Sequence, residues 1–529
     1  MTVPKGHAAP IPVPRMSIDG LMLCLLAALI LVLGMHFAIY FRYAVGALFY
    51  PFQLDYGEGI VWQQALLIPG PRMYGDITRF PFIVFHYPPA YHLAVRAVAA
   101  LGIDMLRAGR GVSLASSLAV GVLAASLVFQ AARGRFCRLA SLAGAAFAGL
   151  SIFCYWPVVV WSPMFRVDML AIALSFLGVW FAVRSPPKPW QPYVAVLLFV
   201  LAAYTKQSCI VAPLTVLPVM LMIDYGRSIK AYGLGLAVGV AALSILTEMT
   251  GGGFLRHILL YNLNRYSVTA AVRAIAEQWP HAFFLLLAIS AIGVGWKRLA
   301  STHAWIGFGD FRRTIRNCVA TRLMAVMTVY FVLSTGMLAT LGKSGGALNY
   351  MIEWMCVWSV LIGTLIASVT ERALAGVRLN PTGAARGSLS ILLLLLPVML
   401  MVQVMILPAT RDLPASDPVR RQQLEQLLTR VKDAKQPVLS DDMVLLLKAG
   451  KQVPWEPAIF AELASTGRWD ERRIIDMIDA HDFAFVITTG SHGMPLYDSR
   501  YTPGVSQAIE TAYPRDQMFA GYHVHSRSQ

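Results

Sequence analysis

Long runs of apolar residues dominate the first 407 positions of the chain, and short polar stretches separate them. A helix that crosses a bilayer needs about 20 mostly apolar residues, and about eleven runs approach that length. They cover residues 21–41, 111–131, 138–158, 167–184, 190–205, 208–223, 231–248, 281–297, 322–341, 350–369 and 388–407. The pattern predicts an all-α polytopic membrane protein with about eleven transmembrane helices.

Residues 408–529 follow a different pattern, in which short apolar runs alternate with amphipathic stretches. Helices are predicted over 422–431, over 470–480 and directly after the acidic turn Ser440, Asp441 and Asp442, which is expected to cap that helix. Strands are predicted over 437–440, 483–488 and 519–525. Such alternation is typical of an α/β domain. The chain is therefore divided into a membrane domain, 1–407, and a small C-terminal α/β domain, 408–529.

Composition supports the membrane assignment, because 57% of the residues are hydrophobic and only 14% are charged. The net charge of +16 reflects 44 basic and 28 acidic residues. With a cytoplasmic N-terminus, the inside segments hold 18 Lys and Arg against 4 Asp and Glu, whereas the outside loops hold 12 against 8. Those inside segments are 1–20, 132–138, 184–190, 224–230, 297–322 and 370–387. This asymmetry follows the positive-inside rule and gives no support for a nucleic-acid partner.

This topology places the N-terminus and the C-terminal domain on opposite sides of the membrane. Lys5 and Arg15 precede the first apolar run, which lacks a small-residue cleavage site, so that run is interpreted as a retained anchor. An odd number of spans places the C-terminal domain outside. That domain contains none of the six cysteines, so neither a disulfide framework nor a zinc site is expected. A bacterial inner membrane with a periplasmic C-terminal domain fits these features.

The first outside loop, residues 42–110, is long, rich in aromatic residues and proline, and flanked by apolar runs. A loop of this length in a compact domain is usually functional or disordered, and its aromatic content argues against disorder. Its apolar stretch 91–102 is too short to span a bilayer and is predicted to be an interfacial helix. The loop is expected to form one wall of an active site.

Polar residues also lie at the predicted outer ends of four other regions, so five clusters converge on one membrane face. Ionisable residues at membrane depth are costly and are functional candidates by default. The candidates outside the first loop are Arg166, Asp168, Lys206, Arg265, Lys343, Asn349 and Glu353.

Asp55 and Glu58 are the candidates for general base chemistry, since paired carboxylates can take and orient a proton. They are three residues apart and would share a face of a helix, although Gly57 and Gly59 make a turn at a helix start equally plausible. A solvated acidic turn is the alternative interpretation.

The basic candidates Arg166, Lys206, Lys343 and Arg265 could bind a phosphate through charge-assisted hydrogen bonds. An interfacial ion pair between Arg166 and Asp168, and a Lys206 side chain that extends to the interface, are structural alternatives.

The remaining candidates are weighed against packing roles. His86 is either a packed histidine or a substrate ligand, and Tyr87 precedes two prolines that give a rigid start to the interfacial helix. Asn349 and Glu353 either contact substrate or form interhelical hydrogen bonds. The sequence contains no Walker A loop, no dinucleotide-binding glycine motif and no HExxH motif.

Several short motifs occur in an order that resembles the GT-C membrane glycosyltransferases, in particular the branch with protein mannosyltransferases and the lipid A aminoarabinose transferase. The first loop contributes DYGEG at 55–59, YGD at 74–76 and HYPP at 86–89. RVDMLA at 166–171 is similar to an Arg-Pro-Asp-x-Leu-Ala stretch, with Val167 in place of the frequent proline. TKQ at 205–207, and Gly342-Lys343 through Asn349, Tyr350 and Glu353, also resemble family motifs.

This resemblance, which covers about residues 20–407, implies transfer of a sugar from a polyprenyl-phosphate donor to a glycan, lipid or protein acceptor outside the membrane. By the same resemblance Asp55 would be the general base, Glu58 would assist it, and Asp168 would be a second essential carboxylate. Arg166, Lys206 and Lys343 would hold the donor phosphate. No cofactor is assigned; the resemblance implies no catalytic metal, and metal dependence stays open because Asp55 and Glu58 could bind a divalent ion.

Two other classes are kept beside the glycosyltransferase. A carrier of lipid-linked sugar would place polar residues near the middle of spans in both halves of the chain. A non-catalytic component of cell-envelope assembly would tolerate the loss of Asp55.

Overall fold

The structure is a computed structural model, and it describes residues 17–184, 187–303, 307–379, 388–413 and 417–528. Lys5 and Arg15, which are predicted to flank the first span, lie outside the described residues.

The described chain is mostly helical. Its α-helices are α1 Ile18–Phe49, α2 Tyr56–Leu67, α3 Ala90–Ala99, α4 Met105–Ala132, α5 Arg138–Ser151, α6 Trp156–Trp161, α7 Asp168–Val183, α8 Gln191–Thr205, α9 Val211–Ile223, α10 Tyr225–Met249, α11 Gly253–Ile258, α12 Val268–Ala276, α13 Ala282–Thr302, α14 Phe308–Asn317, α15 Val319–Met337, α16 Ile352–Leu379, α17 Ser388–Ile406, α18 Pro418–Asp433, α19 Met443–Lys448, α20 Pro457–Ser465, α21 Arg472–Asp479, α22 Pro495–Asp498 and α23 Pro503–Ala512. Short 3₁₀ turns lie at Ile152–Cys154, Leu260–Asn262, Trp279–His281, Leu338–Gly342 and Leu348–Met351.

Within the described residues, six helical segments are long and apolar enough to cross a membrane. They are Ile18–Phe49, Met105–Ala132, Tyr225–Met249, Trp279–Thr302, Val319–Gly342 and Leu348–Val377. Shorter apolar helices coincide with the five other runs predicted from the sequence. The predicted helical, multi-pass architecture is therefore confirmed, while α5, α7, α8 and α9 are each shorter than the run predicted for them.

The centre of the bundle is α16, since 83% of the residues in the most apolar part of the segment Leu348–Val377 are buried. It packs against α4, α5, α13 and α15. Glycines permit the closest of these approaches, since a Cβ atom on Gly144 of α5 would lie 2.4 Å from the Gly363 carbonyl oxygen of α16. Small residues that let backbones approach are the usual device of membrane helix packing.

The C-terminal segment, residues 417–528, contains a four-stranded mixed sheet with the strand order β1-β2-β4-β3. The strands are β1 Leu439–Ser440, β2 Val486–Thr488, β3 Arg515–Phe519 and β4 Tyr522–Ser526. β1 and β2 are parallel, and the other pairs are antiparallel. The three predicted strands all lie in this sheet, but β3 was not predicted.

The missed strand belongs to a hairpin whose turn residues, Ala520 and Gly521, both have positive φ, at 54° and 81°. Two positive φ values are the signature of the tight turn that joins antiparallel strands. The residues of β3 are almost all exposed, so they lack the apolar alternation that would have indicated a strand. The single strand predicted at 519–525 is therefore corrected to a hairpin.

The predicted acidic cap is present at the start of α19. Asp442 Oδ1 accepts a hydrogen bond of 2.8 Å from the Leu445 N–H, and its Oδ2 accepts one of 2.9 Å from the Tyr522 hydroxyl. Burial raises the pKa of Asp442 to about 6, although both hydrogen bonds act in the opposite direction. Neighbouring Asp441 is ion-paired with Arg500 at 3.0 Å.

The C-terminal segment and the 42–110 loop share one apolar core, in which Phe52, Val61 and Trp62 pack with Met443 and Val444. The contact between α2 and α19 depends on Gly59. A Cβ atom there would lie 2.4 Å from Met443 Cβ and 2.9 Å from the Val444 nitrogen. The loop and the C-terminal segment are thus packed together at backbone distance.

We expect Gly59→Ala to destabilise this contact by about 1–3 kcal/mol, the usual cost of overpacking, because backbone atoms of α19 must move. The measurement is the unfolding temperature of the detergent-solubilised protein. Gly34→Ala is the matched control, since nothing lies within 4 Å of a Cβ at Gly34. Equal unfolding temperatures for both variants would contradict the close packing of α2 on α19.

A pH dependence follows from Asp442. Its pKa of about 6 in the folded protein exceeds the ordinary value of 3.8, so its contribution to stability is complete below that ordinary value and is lost as pH rises through 6. We expect Asp442→Asn and wild type to unfold at similar temperatures near pH 4. At pH 7.5 the variant should be more stable by up to about 3 kcal/mol.

The control for this titration is Asp417→Asn, which also changes an N-cap carboxylate, at the exposed start of α18. It should leave the pH dependence of the unfolding temperature unchanged. A pH profile of Asp442→Asn that runs parallel to wild type would show that Asp442 is ionised at no cost in the folded protein.

Candidate active site

A cavity of about 480 Å³ lies where the 42–110 loop, several helix ends and the C-terminal segment meet. Five predicted site residues line it: His86, Tyr87, Arg166, Lys206 and Lys343. The loop also contributes Tyr56 and Gly57, and the C-terminal segment contributes Glu456, Ala458, Ile459, Glu462 and Ser499. The predicted convergence of distant polar clusters is therefore present around one cavity.

Asp55 is the N-cap of α2, with extended backbone angles, and directly precedes the cavity-lining residues Tyr56 and Gly57. Its Oδ2 accepts a 2.9 Å hydrogen bond from the Gly57 N–H and lies 3.1 Å from Arg166 Nη1. The other oxygen, Oδ1, has no hydrogen-bond partner among the described residues, and a quarter of the side chain is exposed. Of the two interpretations, the turn at a helix start is confirmed.

Gly57 gives Arg166 the space it occupies. A Cβ atom on Gly57 would lie 1.4 Å from Arg166 Nη1, so no larger residue fits there without displacing the guanidinium. Arg166 Nη2 also donates a 3.4 Å hydrogen bond to the Tyr87 hydroxyl. The guanidinium therefore lies against the start of α2, with hydrogen bonds to Asp55 and Tyr87.

Glu58 is fully buried on the opposite side of α2 from the cavity lining. Arg110 binds it in a bidentate fashion at 2.8 and 2.7 Å, and the backbone N–H groups of Leu54 and Phe165 donate to it at 2.8 and 3.0 Å. Burial alone would raise the pKa of Glu58, but Arg110 and these N–H groups outweigh burial and lower it. Both oxygens are therefore engaged by the protein.

Arg110 extends the same cross-link, since its remaining N–H groups donate to backbone carbonyl oxygens. These acceptors are Ala47, Tyr50 and Phe52. One buried ion pair thus connects the end of α1, the start of α2, α4 and the segment before α7. The described residues contain no group of three or more His, Cys, Asp and Glu side chains that could hold a metal ion.

Asp168 is fully buried at the first position of α7 and organises the cationic side of the cavity. Its Oδ1 accepts hydrogen bonds from Lys206 Nζ at 2.6 Å and from Asn349 Nδ2 at 2.7 Å. Its Oδ2 lies 3.9 Å from Arg166 Nε and has no hydrogen-bond partner in the described part of the chain. The Lys206 ammonium also lies 4.6 Å from the centre of the Tyr350 ring.

Lys343 and Arg265 have different environments. Lys343 lines the cavity and takes part in none of the ion pairs found among residues 17–184, 187–303, 307–379, 388–413 and 417–528. Burial lowers the pKa of its ammonium group, while Glu462 opposes that shift. Arg265 is largely exposed and pairs with Glu462 at 3.1 Å, so it binds the C-terminal segment and does not line the cavity.

The remaining predicted residues divide between the cavity and the bundle. His86 Nε2 lies 2.9 Å from Glu456 Oε1, which links the 42–110 loop to the C-terminal segment. Glu353 accepts a short hydrogen bond from the Tyr330 hydroxyl inside the bundle. Neither Glu353 nor Asn349 lines the cavity.

Arg110, Glu456 and Glu462 were not predicted to be functional residues from the sequence. Arg110 stands immediately before a predicted span, where a buried charge needs a partner, so its position was the available signal. Glu456 and Glu462 lie between two predicted helices, in a stretch with no predicted element. Pro457, directly after Glu456, is a helix-start signal there. Nothing in the local sequence indicates that these carboxylates face a membrane-domain cavity.

We expect Glu58→Gln to destabilise the protein by about 3–5 kcal/mol, because Arg110 would remain buried without its counter-ion. The measurement is unfolding of the solubilised protein by heat or denaturant. Asp55→Asn is the control, since asparagine keeps the N-cap and the ion pair with Arg166 is partly exposed. If the two variants are equally stable, the Glu58–Arg110 pair does not support the fold.

Comparison with known proteins identifies the fold but not a sequence family. No protein-family model matches the chain, and no curated protein sequence is significantly similar to it. Among solved structures, ArnT from Cupriavidus metallidurans in the apo state aligns with a TM-score of 0.54 at 13% identity, covering 93% of this chain and 99% of that chain.

The same ArnT bound to undecaprenyl phosphate aligns with a TM-score of 0.53 at 13% identity, over 95% of this chain and 99% of that chain. The Archaeoglobus fulgidus oligosaccharyltransferase in the apo form gives a TM-score of 0.48 at 11% identity, over 88% of this chain and 69% of that chain. The protein therefore has the ArnT fold over nearly its full length. This confirms, at the level of the fold, the resemblance to the GT-C membrane glycosyltransferases.

Proposed function

We propose that the protein is a glycosyltransferase that moves a sugar from a polyprenyl-phosphate donor to a cell-envelope acceptor. The observation that carries the proposal is a cavity lined by three cations, Arg166, Lys206 and Lys343, with a partly exposed carboxylate, Asp55, bonded to the first of them at 3.1 Å. The fold shared with ArnT, which has been captured with undecaprenyl phosphate, supports this class of donor. The setting we propose is a bacterial inner membrane, with the cavity on its periplasmic side.

Asp55 is assigned as the general base. Its Oδ1 has no partner in the described chain, so it can accept the proton of an acceptor hydroxyl, whose oxygen then attacks the anomeric carbon of the sugar. The bond between that carbon and the donor phosphate breaks, and polyprenyl phosphate leaves with the electron pair. Arg166 donates a hydrogen bond to the second oxygen of Asp55 and orients the carboxylate.

The cations are assigned to the leaving phosphate, where negative charge increases during the reaction. Donors fixed in place before the reaction stabilise such charge most effectively. Lys206 and Arg166 are fixed by Asp168 and by the surrounding aromatic hydroxyl and ring. Lys343 has no protein counter-ion in the described residues and is therefore the cation most available to a phosphate oxygen.

Asp168, Asn349 and Glu58 are assigned positioning roles. Asp168 is inaccessible to substrate and holds Lys206, while Asn349 holds Asp168 in turn. Glu58 supports the loop that carries Asp55, in place of the assisting role expected from the family resemblance. Arg265 and His86 are assigned to docking of the C-terminal segment, through Glu462 and Glu456.

The acceptor is proposed to enter beneath the C-terminal segment. Glu456, Glu462 and Ser499 line the cavity from that segment, facing the loop that carries Tyr56 and Gly57. Carboxylate and hydroxyl groups of this kind hydrogen-bond the hydroxyls of a sugar or polyol. The geometry is compatible with a glycan, lipid or protein acceptor that presents a hydroxyl.

The test of the proposal is sugar transfer in membranes with a panel of polyprenyl-phosphate sugars and cell-envelope acceptors. We expect Asp55→Asn to lower the rate by at least about a hundredfold, since general bases contribute about 10²–10⁴. Asparagine retains the N-cap, so the protein should remain folded and should still bind the donor.

Asp104→Asn is the matched control, because Asp104 is likewise an N-cap, at the exposed start of α4. It should transfer sugar at the wild-type rate. Full activity of Asp55→Asn would remove Asp55 from the mechanism. Donor binding without transfer by wild type, together with movement of the lipid-linked sugar across liposomes, would instead identify a carrier.

A further inference from the structure

We propose that the end of the bundle opposite the candidate active site binds the headgroup of an acidic membrane phospholipid. The groove lies between α4, α13, α15 and α16, and has a volume of about 80 Å³. It is independent of the proposed sugar transfer. Near its start, α4 carries Arg110, which binds the loop that holds Asp55 through Glu58. The end of α4 lines the groove. A helix of 28 residues is about 42 Å long, so the groove lies far from the candidate site.

The walls of the groove are apolar and its edge is cationic. Val294, Met324 and Leu365 are among the apolar residues that line it, and Arg135 and Arg298 line it at the ends of α4 and α13. Val294 is 41% exposed on the side of the bundle, so the groove opens laterally. An apolar wall beside a cationic edge matches an acyl chain attached to an anionic headgroup.

The arginines have no counter-ion among the described residues. None of the ion pairs there includes Arg135, Arg298 or Arg372. Arg372 and Arg135 lie close enough to Arg298 to repel its charge. An anion seated between them relieves this repulsion and accepts charge-assisted hydrogen bonds from the guanidinium groups.

A buried hydroxyl provides independent support for a polar ligand in the groove. Ser368 lines it from α16 and is only 6% exposed, yet its Oγ has no hydrogen-bond partner in the described residues. Buried polar atoms are normally paired. A phosphate or glycerol oxygen of a headgroup would supply the missing partner.

Basic pockets between membrane helices are a recognised type of site for acidic lipid headgroups on the cytoplasmic side. The charge distribution of the sequence predicts that this end is cytoplasmic. The apolar walls favour a lipid over a free anion, because inorganic phosphate would gain nothing from them.

The test uses the full-length protein, stripped of lipid in a neutral detergent. Phosphatidylglycerol or phosphatidylcholine of equal chain length is titrated in, and the unfolding temperature gives the half-saturating concentration. We expect phosphatidylglycerol to act at concentrations at least about tenfold lower than phosphatidylcholine. In the variant Arg135→Gln/Arg298→Gln this preference should disappear.

Arg133→Gln is the matched control, since Arg133 is exposed at the same end of α4 but does not line the groove; its preference should stay within about twofold of wild type. Ser368→Ala should weaken phosphatidylglycerol binding about threefold to tenfold. Arg135→Gln alone, at an exposed site, serves if the double variant does not fold. An undiminished preference in these arginine variants would overturn the proposal.

Inorganic phosphate and glycerol phosphate distinguish the source of the anion. Neither should change the unfolding temperature at concentrations where phosphatidylglycerol saturates. Stabilisation by either one, equal to that of phosphatidylglycerol, would show a free-anion site and refute the lipid assignment. The result does not depend on whether sugar transfer is observed.

Discussion

The candidate site depends on the buried pair of Glu58 and Arg110. Removing two charges from water is costly. The pair is tolerated because the N–H groups of Arg110 and the carboxylate oxygens of Glu58 all have hydrogen-bond partners, either each other or the backbone. Four chain segments meet at these two side chains. Asp55 lies three residues before Glu58, at the start of the same helix, so the position of the candidate base is set by a contact that faces away from the cavity. A carboxylate that resembles a catalytic partner in the sequence is, in the structure, the anchor of the loop.

The cationic side of the cavity uses a similar arrangement with less complete pairing. Asp168 satisfies Lys206 through one oxygen and leaves its other oxygen 3.9 Å from Arg166. Arg166 therefore interacts with two carboxylates, Asp55 at 3.1 Å and Asp168 at 3.9 Å. Because neither pairing is saturated, the guanidinium can strengthen its interaction with a phosphate without first breaking a tight ion pair. Lys343, which lacks a protein counter-ion in the described chain, completes this cationic wall.

Much of the helical architecture was predictable, because apolar runs of sufficient length have few structural alternatives. The convergence of Asp55, Arg166, Lys206 and Lys343 also followed from their position at the same ends of predicted spans. The exposed strand β3 could not be predicted, since its residues carry no apolar alternation. Nor could the contribution of Glu456 and Glu462 be predicted, because their contacts with His86 and Arg265 join residues 370 and 197 positions apart and leave no periodic pattern in either local sequence. Local sequence patterns predict which side of a helix or strand a residue lies on. Its long-range partner is determined only by how the elements pack.

The C-terminal residues that close the cavity affect when the site can form during synthesis. The walls come from the first two thirds of the chain, but Glu456, Glu462 and Ser499 come from its last part. During synthesis the bundle can assemble before these residues exist, and domains generally form from the N-terminus onward. The cavity would then stay open to water until the C-terminal segment has been delivered to the same face of the membrane and has packed against α2. The cavity is thus closed only after residues 456–499 have been made, so a product truncated before Glu456 would retain its cations and Asp55 in a cavity open to water.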